Sequence, residues 1–84
     1  MSRPEHSIDE AGWARFVAQH GVGDVLDGDV VKVVPFGAFV RLDGGVDGLA
    51  PKQLWSNLPD PETRVTVRIA AIDPDNRRVS LGPA

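Results

Sequence analysis

Phe36 and Phe39 are two of only three phenylalanines in a chain of 84 residues, set three apart with Gly37 between them. Ala38, Val40 and Leu42 alternate with Phe39 and Arg41, the period of a strand that is apolar on one side. The apolar side is claimed by the three aliphatic residues, so Phe39 must face outward. Phe36 sits just before Gly37 at the strand start and is read the same way. Rings presented beside cations are suited to stacking nucleobases. Arg41 shares a face with Phe39, which makes it a candidate phosphate contact.

Other chemistry finds little material. The chain has no cysteine and two histidines, which is too few for a metal cluster of the usual ligand types. Ser7, Ser56 and Ser80 lack a nucleophile setting. Gly44-Gly45 is not followed by a helix or a Lys-Ser/Thr pair, so it reads as a hairpin turn and not a phosphate loop. We expect no enzyme and no cofactor. His20 falls at a helix end, where a protonated imidazole is mildly favourable. Trp13 and Trp55 read as packing residues, and Arg64 and Arg68 as solubilising charges on an outer strand face.

The formal net charge is −3, and residues 22–84 hold seven basic against nine acidic groups. An electrostatic binding surface must then be a local patch and not a whole-molecule field. No apolar run approaches the roughly 20 residues of a membrane span. The start, MSRPEHSIDE, is polar and unlike a secretory leader. These features lead us to expect a cytoplasmic protein with no membrane partner.

The elements that must position the rings follow from periodicity. Residues 1–6 lack a pattern and are expected to be disordered. Ser7 with Glu10 forms a capping-box signature. Ile8, Trp13, Phe16 and Val17 then share one side at helical spacing, and Gly21 marks the stop. This predicts an amphipathic helix over about 8–20, within a segment 7–21. Such a short helix must dock on the following domain, a second copy or a partner.

From residue 22 to 84 the signals are those of strands. Val25–Val34 carries Gly28, which suggests a bend or bulge. Gly37–Leu42 and Val46–Ala50 flank the Asp43-Gly44-Gly45 turn. A helical turn follows Pro51. Arg64–Ile72, with Val65, Val67 and Ile69 inward, leads through an Asp73-Pro74-Asp75-Asn76 turn to Arg78–Leu81. Five short strands with a helical insertion after the third predict an all-β, five-stranded Greek-key OB-fold barrel with an added N-terminal α-helix.

The stretches VGDVLDGDVVKVVPFGAFVRL, GGVDGLAP and VTVRIAAIDPDNRRVSLG occur in that order and cover about three-quarters of the chain. Together they resemble the S1 RNA-binding domain family. The resemblance implies base stacking on Phe36 and Phe39 and backbone contact by Arg78. Lys32 matches a position that is often basic. Asp73 matches the aspartate opening the last turn, where it would orient a neighbour such as Arg78. Family members usually carry histidine where this chain has Pro51, and often serine at Gln53, so one expected contact is missing.

The resulting expectation is weak, sequence-tolerant binding of single-stranded RNA, with the ribosome or other RNA machinery as wider partner. The alternative is a protein-interaction module on the same barrel, with a protein partner or self-association through residues 8–20.

Overall fold

The structure is a computed structural model and describes residues 10–84. The disordered start expected for residues 1–6 and the capping-box serine, Ser7, lie outside the described residues. A helix, α1, runs over Glu10–Gln19, within the predicted span. Five strands follow: β1 Val25–Val34, β2 Gly37–Arg41, β3 Asp47–Pro51, β4 Arg64–Asp73 and β5 Arg78–Pro83. They close into a barrel in the order β1-β2-β3-β5-β4. All neighbouring pairs are antiparallel except β3 with β5, which run parallel with Leu49 opposite Ser80.

The alternation read from the sequence sorts the side chains as expected. Ala38, Val40, Leu42, Val67 and Ile69 are buried, while Arg41, Arg64, Thr66 and Arg68 are exposed. The outer face of β1 and β4 is tied by side chains. Arg64 donates to Asp29 at 3.0 Å, Thr66 to Asp27 at 2.7 Å, and Arg68 to the Gly23 carbonyl at 3.3 Å. These groups therefore belong to the wall, as their reading as outer-face charges suggested.

Gly28 marks the corner of the barrel. Strand β1 pairs with β4 over residues 25–29 and with β2 from Asp29 onward. A Cβ at Gly28 would lie 2.5 Å from Val40 Cγ1 and 2.9 Å from the Arg41 carbonyl oxygen. Only glycine lets the two strands approach this closely. The register irregularity itself falls at Val31, between the pairs Val30–Val40 and Lys32–Phe39. The sequence suggested a bend or bulge at Gly28; close approach is at Gly28 and the extra residue is three positions on.

The predicted Asp43–Gly45 hairpin turn is a 3-10-type turn broken at Gly44, whose backbone is non-helical. Gly44 and Gly45 adopt φ of 72° and 79°, a region that side chains disfavour. Helix α1 packs against this turn. Trp13 and Phe16 are 7% and 3% exposed and join the barrel's core cluster. The imidazole of His20 lies 4.7 Å from the Phe16 ring. Of the three docking choices left open by the sequence, the helix takes the barrel. A second 3-10 turn, Lys52–Leu54, follows β3. It leads to Trp55, which packs on the core and donates its indole N–H to the Leu81 carbonyl at 3.0 Å.

Candidate nucleic-acid interface

The β3–β5 seam carries a cleft of about 370 Å³ on the outside of the barrel. Leu49 and Val79 line it together with Ser80. Phe36 and Phe39 form one wall. Their ring centroids are 6.2 Å apart and the planes meet at 89°, an edge-to-face geometry that aromatic pairs favour. Phe36 is 58% exposed, and Phe39 is half-buried. Perpendicular rings make a corner: a flat group stacked on one ring abuts the other. The expectation that Phe39 faces outward is met, because its neighbours Ala38 and Val40 fill the core.

The cations expected at the site divide into two kinds. Lys32 is exposed and stands directly opposite Phe39 in the β1–β2 ladder, on the same face. Arg78 is exposed and lines the cleft. Neither side chain makes a hydrogen bond or ion pair among the described residues. Arg41 differs. Its Nε donates to Asp47 Oδ1 at 2.9 Å and its second guanidinium nitrogen to Oδ2 at 3.1 Å. The Asp47 hydrogen bond, then its charge, push the Arg41 guanidinium further up from an already high range. Arg41 thus approaches the site already engaged by a carboxylate.

Asp73 organises a turn. Its Oδ2 accepts from the Asn76 side-chain amide at 2.9 Å, and its Oδ1 faces the Asp75 and Asn76 backbone N–H groups at 3.2 and 3.4 Å. The turn includes Arg77 at a φ of 53°, a strained value outside glycine. Asp73 pairs with Arg78 across the β4–β5 ladder. No hydrogen bond joins their side chains among the described residues; the Arg78 charge acts on the Asp73 carboxyl across the ladder.

The Asn76 side chain is the main cause, with the two backbone N–H groups and the Arg78 charge adding, that holds the Asp73 carboxyl below the usual carboxylate range. A depressed folded-state value means that its stabilisation is complete above the unfolded value and is lost as pH falls through the folded one. In an NMR pH titration, we expect Asp73 to titrate below the ordinary range, with the Asp75 and Asn76 amides following the same midpoint. An ordinary midpoint would contradict this role.

Two features, one lining the cleft and one beside its outer ring, escaped the sequence reading. Asp47, a lining residue, could have been found by counting back from the hairpin turn, which sets it opposite Arg41. Lys52 could have been found likewise: its N–H donates to the Phe36 carbonyl at 3.0 Å, one step beyond the Gly37–Pro51 pair. Lys52 is exposed, and its backbone is fixed beside the outer ring. Pro51 itself is half-buried opposite Gly37.

A closed five-stranded barrel with this strand order is an OB-fold. The model of the S1 RNA binding domain family matches residues 19–82, and the chain belongs to that family. It is 38% identical over 80 residues to small ribosomal subunit protein bS1 of Mycolicibacterium smegmatis, across 86% of this chain and 17% of that protein. The bS1 of Mycobacterium tuberculosis is 36% identical over the same shares. The chain thus spans 17% of the length of these curated relatives. Among solved structures, GSP13 from Bacillus subtilis superposes with a TM-score of 0.66 at 27% identity, over 75% of this chain and 55% of that one.

Proposed function

We propose that this domain binds single-stranded RNA weakly and with little dependence on sequence. Bases stack in the corner made by Phe36 and Phe39, and phosphates meet Lys32 and Arg78. The observation that carries this reading is the perpendicular ring pair opening on a cleft whose nearby cations, Lys32 and Arg78, make no hydrogen bond or ion pair among the described residues. Family membership supports it. Arg41 acts here through Asp47, and Asp73 through the turn that presents Arg78.

The relatives named as small ribosomal subunit proteins point to the ribosome as the wider partner and to the cytoplasm as the site of action. Burial of Trp13 and Phe16 against the barrel supports reading α1 as part of the domain. It weighs against the rival in which residues 8–20 dock a protein or a second copy.

The test is titration with short single-stranded RNA at two salt concentrations while amide resonances are followed. Shifts are expected at residues 32–41 and 73–80. Each phosphate contact on a single strand contributes about −0.7 to the slope of log affinity against log salt. Lys32 and Arg78 together predict a slope of about −1.4. Scattered shifts, or none at low salt, would sink the proposal.

A further inference from the structure

One group in the cleft is out of place on a surface that only cradles phosphate. Asp47 lines the same space as the two rings and Arg78. Because β3 and β5 run parallel with Leu49 opposite Ser80, Asp47 and Arg78 each lie two residues before that pair. They stand level across the seam, and alternation puts both on the cleft side.

Asp47 is also held in place. Arg41 grips both carboxylate oxygens, yet the Asp47 side chain remains 37% exposed. Each oxygen of an ionised carboxylate keeps further lone-pair capacity and can only accept. A phosphate cannot rest against such a group without repulsion. A hydrogen-bond donor can.

We propose that Asp47 selects bases: its carboxylate accepts a hydrogen bond from the exocyclic amino group of a base stacked in the Phe36–Phe39 corner. Cytosine offers its N4 amino group and adenine its N6 amino group, whereas uracil turns a carbonyl oxygen to the same place. The cleft therefore favours cytosine and adenine over uracil. This rests on the RNA-binding reading above and adds a bias to otherwise tolerant stacking. Arg41 is the positioning residue, since its two bonds fix the direction in which the carboxylate faces.

The experiment measures anisotropy of labelled RNA hexamers of cytidine, adenosine or uridine with the full chain at low salt. Wild-type protein is expected to bind the cytidine and adenosine hexamers about tenfold more tightly than the uridine hexamer, the scale of one charge-assisted hydrogen bond at an open site. Asp47→Asn, which can donate as well as accept, should bring the ratio towards one. Its removal of a negative charge shifts all three affinities alike and leaves the ratio informative.

A second measurement leaves the protein intact: a hexamer of N4,N4-dimethylcytidine, which has no N4 donor, should lose the advantage of cytidine. Equal wild-type affinities for the three hexamers would overturn the inference and leave RNA binding standing. So would a ratio unchanged in Asp47→Asn or by dimethylation. Failure of every hexamer to bind would overturn the RNA reading, and the base preference with it.

Discussion

Trp13→Ala is expected to destabilise the domain by about 3–5 kcal/mol, the range for emptying a buried aromatic site. Trp13 and Phe16 lie in the same core cluster as the barrel residues Leu42 and Val46, which flank the Asp43–Gly45 turn. Their rings stack with centroids 6.3 Å apart, so losing one also loosens the other. A small domain of this kind has only about 5–15 kcal/mol in total. The melting temperature should then fall by on the order of 15 °C or more, read by thermal unfolding followed by circular dichroism. A change below about 0.5 kcal/mol, the size of a neutral surface substitution, would mean that α1 is an appendage. The protein-docking reading of residues 8–20 would then regain its ground.

The second large effect concerns binding. Phe36→Ala should weaken RNA affinity by roughly 1–3 kcal/mol, the contribution of one stacked base. Stability should hardly change, since Phe36 is 58% exposed. Phe39→Ala should weaken binding by a similar amount but should also lower stability, because that ring is half-buried between neighbouring strands. The two rings touch edge to face, so their effects are not expected to add. The double variant should lose less than the sum of the singles. Isothermal titration with a short single-stranded RNA measures all three. Unchanged affinity in both single variants would remove stacking from the mechanism.

Much of the barrel is legible in the sequence. The run Ala38, Val40 and Leu42 has a period of two, and that period alone assigns inside and outside. Gly28 was legible as a special position, because glycine within a valine-rich strand needs a reason. Where the extra residue enters was not, since Val31 carries no sign of it; the shift emerges only when β1 is matched against β2.

The site was legible where it is local and hidden where it is not. Phe36 and Phe39 belong to one short stretch and announced themselves. Arg41 looked like a phosphate contact on the strength of sharing a face with Phe39. Its partner lay six residues away across a turn, and pairing the hairpin residue by residue would have revealed it. The meeting of Asp47 with Arg78 depends on a parallel contact between strands some thirty positions apart. No periodicity encodes that contact.

That parallel contact has a consequence for how the barrel holds together. Strands β3 and β5 share one matched residue pair, Leu49 with Ser80, while each of the other neighbouring strand pairs is zipped along several. The cleft lies over this parallel seam. A strand of RNA lying there would touch both strands of the seam and act as a clasp across it. Occupancy and closure would then be thermodynamically linked, so that the ligand tightens the very wall on which it rests.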